Sequence, residues 1–198
     1  MRRRLSAKIY SMELKRKIKR PVHIASSTYL HLSLLCLLLP IQWVVAFILS
    51  AVIHEVWHLI ALRLCRVRIF SVGVRNFGTD INTAPITPGK ELICAMAGPA
   101  GSASLLLLAK WMPLIAICGL FHLLYNLLPI YPSDGGRILH CGLELLFGEQ
   151  TAEKCCRVIQ QAILCLMVIS GIYALLKWQL GLLPMIAVIL VLSRTKDK

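Results

Sequence analysis

The sequence predicts an all-α polytopic membrane protein with about six transmembrane helices and a short β-like segment at the membrane surface. Composition is the first reason for this prediction. Hydrophobic residues make up 58% of the chain and the mean hydropathy is +0.73, more apolar than an ordinary soluble domain. The second reason is the arrangement of these residues, which form long apolar runs separated by short basic stretches.

Six apolar stretches are long enough to be interpreted as membrane spans. They lie near residues 24–39, 42–62, 91–109, 112–130, 158–176 and 179–193. A basic segment, 1–22, precedes this domain of residues 24–193. Its spaced apolar residues fit either an amphipathic helix on anionic headgroups or a disordered tail.

The net charge of +13 is explained by membrane topology without a nucleic-acid partner. Of the 22 Lys and Arg residues, 20 lie at the termini and in the connections 63–90 and 131–157. Only Lys110 and Lys177 lie in the alternate connections. Basic connections stay on the cytosolic side of a membrane. We therefore expect an integral multi-pass protein with both termini in the cytosol.

Residues 67–85 depart from the helical pattern of their neighbours. Alternating apolar and polar residues, with Gly73 and Gly78 between them, predict one or two short strands at the cytosolic membrane surface. Further along the chain, Gly148 and Thr151 predict a break before the fifth span, with Thr151 as a helix N-cap.

A histidine pair, His54 and His58, lies inside the second apolar stretch. Residues four apart share one face of a helix, about 6 Å apart along its axis, so both imidazoles can reach one metal ion. Glu55 beside them is placed to act on a metal-bound water, as in zinc hydrolases. Unpaired ionisable groups in hydrocarbon cost several kcal/mol. The pair therefore favours a metal site over histidines satisfied by nearby backbone.

A catalytic zinc site needs a third protein ligand, and Asp134 is the candidate. The second and fourth spans both run toward the cytosol, so His58 and Asp134 are expected at one depth near that face. Pro129 and Pro132 should interrupt the helix, and Gly135-Gly136 should permit a sharp turn that aims the carboxylate inward. The alternative is an ordinary loop turn, which the histidine pair disfavours.

These motifs resemble the site-2 protease family of intramembrane zinc metalloproteases, over roughly residues 24–193. The resemblance is greatest to the sporulation-type members (similar to stage IV sporulation protein FB), which process a membrane-associated sigma factor precursor. Ser133 stands where a leucine is common in the family. The matching motifs are His54-Glu55-x-x-His58, Ala97-Gly98-Pro99-Ala100 and Asn126-x-x-Pro129-x-x-Pro132-x-Asp134-Gly135-Gly136.

The resemblance implies that His54, His58 and Asp134 bind one zinc ion per chain. It also implies that Glu55 is the general base and that Asn126 helps hold the scissile carbonyl. The expected partners are a transmembrane or membrane-associated protein substrate, the lipid bilayer and an inhibitory membrane protein. The alternative is a non-enzymatic zinc-binding membrane protein, either an inactive regulator or a metal permease. Polar residues clustered near one face favour the protease, since permeases spread them through the membrane.

Three further expectations concern residues around this site. His122, one turn before Asn126, is either a group near the substrate or a packing histidine. Glu91 is expected to be an interfacial charge. A substrate must be extended to expose a peptide bond, so we expect it to pair with the 67–85 segment, with Gly73 and Gly78 allowing close backbone approach.

Overall fold

The computed structural model describes residues 22–24, 28–29, 33, 36–75 and 78–178. Five long α-helices and a three-stranded sheet form most of this part of the chain. A short 3-10 helix, Leu105–Leu108, continues the second helix. In chain order the elements are β1 (Val22–Ile24), α1 (Ile41–Leu64), β2 (Ile69–Arg75), β3 (Gly78–Thr83), α2 (Pro88–Ser104), α3 (Pro113–Asn126), α4 (Asp134–Phe147) and α5 (Glu149–Trp178).

Three of the described helices are long and apolar enough to cross a membrane. They are α1, α2 with its 3-10 extension, and α5, while α3 is a shorter apolar helix. Their outward faces expose large apolar side chains such as Leu64 and Leu107, as expected of surfaces in contact with lipid. The chain is a membrane protein, but the described residues do not confirm six spans.

The remaining predicted spans differ from the structure or lie beyond it. In 24–39 only positions 28–29, 33 and 36–38 are described as helical, and 179–193 lies outside the described residues. The predicted span 112–130 ends early, since α3 stops at Asn126. Leu-Leu-Pro follows, and the residue before a proline is biased away from helical geometry.

The predicted turn at Gly135-Gly136 is wrong, because both glycines lie in the first turn of α4. This helix starts tightly against the loop that precedes it. A Cβ on Gly135 would lie 2.7 Å from the Leu128 carbonyl oxygen, and one on Gly136 would lie 2.6 Å from the Tyr131 nitrogen. The Ser133 hydroxyl donates to the Leu128 carbonyl over 2.6 Å. The glycines therefore serve close packing of the loop rather than a change of direction.

The predicted N-cap at Thr151 is also wrong, whereas the predicted break at Gly148 is present. Gly148 has a φ of +84° and separates α4 from α5, a backbone conformation that favours glycine. The next helix begins at Glu149, so Thr151 lies within it. No proline or glycine interrupts residues 149–158, which allows this helix to begin well before the apolar run.

The strands predicted within 67–85 are present as the antiparallel hairpin β2–β3. A third strand, β1, pairs in parallel with β2. The strand order β1-β2-β3 makes β2 central, so Gly73 lies opposite both His23 and Asp80. The expected free edge is therefore not at Gly73. Among the described strands, the outer side of β3 is an unpaired edge.

Helix α2 packs against α1, α3 and α4 and is the element that joins them. Its approach to α1 is close because it presents small residues. A Cβ on Gly101 would lie 2.9 Å from the Cβ of Trp57. Beyond this contact, Ala61, Leu62 and Cys94 form a buried apolar cluster. The helix contacts bring the 54–58 turn of α1 beside α2 and the start of α4.

Candidate metal centre

Three side chains from α1 and α4 converge on one buried point. The distances between the donor atoms are 3.2 Å for His54 Nε2 to His58 Nε2, 3.0 Å for His54 Nε2 to Asp134 Oδ2, and 3.1 Å for His58 Nε2 to Asp134 Oδ2. All three residues are at most 7% exposed. The structure thus brings together the three residues that the sequence selected as ligands, as one group that could hold a metal ion.

Helix α2 fixes the orientation of both imidazole rings. Nδ1 of His54 lies 2.9 Å from the Ser102 hydroxyl, which is fully buried. Nδ1 of His58 lies 2.8 Å from the main-chain carbonyl oxygen of Cys94. A carbonyl only accepts hydrogen bonds, so Nδ1 of His58 must donate. In the neutral ring this leaves a lone pair on Nε2, facing the other two donor atoms.

Gly98 lies between the two contacts that α2 makes with the rings. A Cβ at this position would approach His54 Cε1 to 2.7 Å and would overlap Nε2 of His58. Only glycine therefore fits this place on α2. This contact gives a physical reason for the Ala97-Gly98-Pro99-Ala100 motif noted in the sequence.

Asp134 is ionised at neutral pH despite its burial. Burial by itself raises the pKa of a carboxyl group, but the hydrogen bonds and charges of His54 and His58 outweigh it and hold the pKa of Asp134 at about 2. Asp134 is the first residue of α4, where the positive end of the helix dipole also favours a carboxylate. Asp134 can therefore serve as an anionic ligand.

The donor set fits a zinc ion. In tetrahedral zinc sites with bonds of about 2.0–2.1 Å, neighbouring donors are roughly 3.3 Å apart, close to the three distances here. With both rings neutral, the contact between His58 Nε2 and Asp134 Oδ2 brings a lone pair against a carboxylate oxygen, and a metal cation between them removes that repulsion. Two imidazoles and one carboxylate form a common ligand set of catalytic zinc.

The two residues predicted to act in catalysis lie on the helices that flank this group. Glu55 is half-buried on α1, next to His54. Asn126 is buried at the C-terminal end of α3, and its Nδ2 donates to the His122 carbonyl oxygen over 3.0 Å. Among the described residues, no hydrogen bond of Asn126 reaches the three donor atoms.

His122 lies close to the site without joining the donor group. Its Nδ1 is 3.0 Å from the Ser50 hydroxyl and 3.1 Å from the Cys118 carbonyl oxygen. Its ring centroid is 6.3 Å from that of His54 and 4.6 Å from that of Phe47. The ring packs on α1 and hydrogen-bonds to it, as a packing histidine does, and a role near the substrate stays a prediction.

Three residues that contact the ligands were not found from the sequence, namely Ser102, the Cys94 main chain and Arg137. Ser102 carried a usable signal, since it is a polar residue in an apolar span, at a helical spacing of four from Gly98. The Cys94 carbonyl carried none. Arg137 lies 3.3 Å from Glu91 and 3.9 Å from Asp134, so Glu91 is part of an ion-pair network at the site.

Comparison with known proteins identifies the fold. A solved structure of the site-2 protease from Methanocaldococcus jannaschii superposes with a TM-score of 0.63, covering 89% of this chain and 91% of that chain at 20% identity. The chain has the site-2 protease fold. No family model matches the chain.

A curated relative shares sequence with this chain. It is the zinc metalloprotease MJ0392 of Methanocaldococcus jannaschii, 28% identical over 152 residues that cover 68% of this chain. The chain spans 45% of that relative's length. The two matches confirm the resemblance to site-2 proteases that the sequence motifs predicted. Neither bears on the sporulation-type subgroup.

Proposed function

We propose that this chain is an intramembrane zinc metalloendopeptidase that hydrolyses a peptide bond of a membrane-embedded or membrane-associated protein. The observation that supports this most strongly is the buried group of His54, His58 and Asp134, with donor atoms 3.0–3.2 Å apart. The site-2 protease fold and the relative named as a zinc metalloprotease support the same function.

In this proposal the three donors hold one zinc ion per chain. The ion would supply a Lewis acid that activates water and polarises a peptide carbonyl. Glu55, next to His54, takes the proton from the attacking water and gives it to the leaving nitrogen. Glu55 is half-buried, whereas the two histidines are enclosed.

Asn126 is proposed to stabilise negative charge on the scissile carbonyl oxygen. One hydrogen of its Nδ2 is donated to the His122 carbonyl, which fixes the plane of the amide. An amide nitrogen carries two hydrogens, so the second can be donated to substrate. A fixed donor of this kind stabilises charge without reorganisation during the reaction.

Metal analysis of the purified protein tests the ligand set. We expect about one zinc per chain, which falls to near zero in His54→Ala, His58→Ala and Asp134→Asn. His140→Ala is the matched control, because His140 pairs with Glu144 on α4 and does not touch the donor group. Full zinc retention in both His54→Ala and His58→Ala would refute the assignment of these residues as zinc ligands.

Glu55→Gln separates a protease from a non-enzymatic zinc protein. The glutamine cannot accept a proton, so this variant should keep its zinc and lose cleavage of a co-expressed substrate by at least about 100-fold. Substantial cleavage by the variant would exclude Glu55 as the base. A wild-type protein that binds zinc but cleaves no candidate would favour the inactive regulator or the metal permease.

The substrate class follows from the location of the site between apolar helices and from the sequence resemblance. We propose a transmembrane or membrane-associated regulatory protein, with a sigma factor precursor as the first candidate because of the sporulation-type motifs. An inhibitory membrane partner would act on the same helices. Co-expression of the precursor with wild-type protein and with Glu55→Gln, followed by mass determination of the product, tests this choice.

We also propose that the extended substrate pairs with the outer edge of β3. Gly78 and Arg75 flank a two-residue loop, and such residues form a hydrogen-bonded pair in a hairpin. The backbone groups of Gly78 and Asp80 then face β2, while those of Thr79 and Ile81 face outward. An added strand would bond to the outward groups, with side chains alternating between its two faces.

Proline substitution tests this edge. Thr79→Pro or Ile81→Pro removes an outward donor and is tolerated on an edge strand, so zinc content should persist while cleavage of a helical substrate falls. Asp80→Pro is the control that breaks the hairpin itself. Full cleavage by both outward variants would refute strand addition and leave the zinc protease proposal intact.

A further inference from the structure

An ion-pair network joins α2 to the metal-facing carboxylate at the start of α4. Arg137 Nε lies 3.3 Å from Glu91 Oε1, and Arg137 Nη1 lies 3.9 Å from Asp134 Oδ1. The guanidinium therefore lies between two carboxylates. The Glu91 carboxylate contacts no metal-facing donor atom, and the Asp134 carboxylate contacts those of both histidines. Asp134 divides its oxygens accordingly, with Oδ2 toward the histidines and Oδ1 toward Arg137.

The division of the two oxygens matters because a carboxylate can rotate about its last single bond. Contacts through Oδ2 alone leave the tilt of the carboxylate plane open, although exchange of the two equivalent oxygens changes nothing. A cation beside Oδ1 favours the plane in which one oxygen faces the histidines and the other faces Arg137. Arg137 is itself a long side chain with many rotamers, and the Glu91 carboxylate on a different helix limits them.

The exposure of this pair indicates that it does not serve mainly to stabilise the fold. Arg137 and Glu91 are 29% and 34% exposed, whereas the Asp134 side chain is 9% exposed. Ion pairs this open to solvent contribute little to folding stability. Residues that orient a metal ligand, by contrast, typically change metal affinity by about 10–100-fold when removed.

We propose that Arg137, held by Glu91, is a positioning residue that sets the orientation of the Asp134 carboxylate toward the metal. The proposal rests on the proposed zinc site, and it adds a role for two charges that the ligand set does not require. Arg137 holds Oδ1, so that Oδ2 faces the two imidazole nitrogens before an ion arrives. Glu91 acts only through Arg137.

Zinc affinity is the test, measured by competition with a chromogenic chelator on purified protein in lipid nanodiscs. Arg137→Gln should weaken zinc binding by about 10–100-fold. Arg137→Lys keeps the charge but cannot place separate nitrogens near Glu91 and Asp134. The zinc affinity of Arg137→Lys should therefore fall between those of the wild type and Arg137→Gln. Glu91→Gln should have a smaller effect than Arg137→Gln.

The double variant Glu91→Gln/Arg137→Gln distinguishes positioning from independent contributions. If Glu91 acts through Arg137, the double variant should match Arg137→Gln alone, because the two effects are coupled. The matched control is His140→Gln/Glu144→Gln, which removes an ion pair of 3.6 Å from the same helix. The control should leave zinc affinity within about twofold of wild type.

Two results would overturn the proposal. One is an Arg137→Gln affinity within about twofold of wild type, and the other is full additivity in the double variant. If the pair is purely structural, its removal should lower the unfolding temperature of the metal-free protein. Zinc affinity, measured at temperatures where the protein is folded, should then stay unchanged. If the wild type binds no zinc, or His54→Ala binds it as well, the proposed zinc site fails instead.

Discussion

Gly98→Ala should disrupt the metal centre through a single added methyl group. The new Cβ would lie 2.7 Å from His54 Cε1 and would overlap Nε2 of His58. Ordinary carbon contacts are about 3.5–4.0 Å, so the rings or α2 must move by roughly 1 Å. Zinc sites tolerate displacements of about 0.2 Å. We expect zinc affinity to fall at least tenfold, with an overpacking cost of about 1–3 kcal/mol in folding stability.

Chelator competition and thermal unfolding of the metal-free protein measure the two effects separately. Gly142→Ala is the matched control, since it lies in α4 and a Cβ there meets nothing within 4 Å. Alanine favours a helix over glycine by about 0.5–1 kcal/mol, so the control should be neutral or slightly stabilised, with normal zinc binding. Wild-type zinc affinity in Gly98→Ala would refute the reasoning about ring contact.

Other outcomes follow from the same contacts. Ser102→Ala removes the partner of His54 Nδ1 and should weaken zinc binding by about tenfold. Ser104→Ala is the control, because it loses only a hydrogen bond within its own helix and should bind zinc normally. Equal zinc affinities of the two variants would exclude an orienting role for Ser102. Gly135→Ala forces a Cβ against loop carbonyls and should displace Asp134, at about 1–3 kcal/mol; unchanged unfolding temperature and zinc content would contradict this. Single cysteines at Arg75 and Lys110 should be labelled from opposite sides of the membrane, with the first cytosolic; reversed labelling would overturn the orientation.

Local sequence patterns predicted the elements that local forces determine. The apolar run of α1, the glycine-punctuated hairpin and the break at Gly148 were all foreseeable from neighbouring residues. Strand β1 was not, because its parallel pairing with β2 joins residues about fifty positions apart and no local pattern encodes it. Helix α4 was missed because Gly135-Gly136 indicates a turn unless close packing against the preceding loop is known.

The metal-facing residues were predictable because their chemistry requires a recognisable spacing. His54 and His58 share a helical face, and Asp134 was the acidic residue at the matching depth. The orienting contacts could not be predicted in the same way. The contacts of Ser102 with His54 and of Arg137 with Glu91 join different helices, and their distances depend on how closely α2 approaches α1 and α4.

The contact between His58 and position 94 has a consequence for how the sequence of this site can change in evolution. The imidazole bonds to the peptide carbonyl of Cys94, not to its thiol. Every amino acid supplies that carbonyl, so substitution of the side chain leaves the hydrogen bond in place as long as the buried cavity accepts the new volume. An alanine scan would score the position as silent, and an alignment could show it as variable. The tautomer of a metal-facing histidine is thus determined by the path of a neighbouring helix, independently of the residue that occupies it.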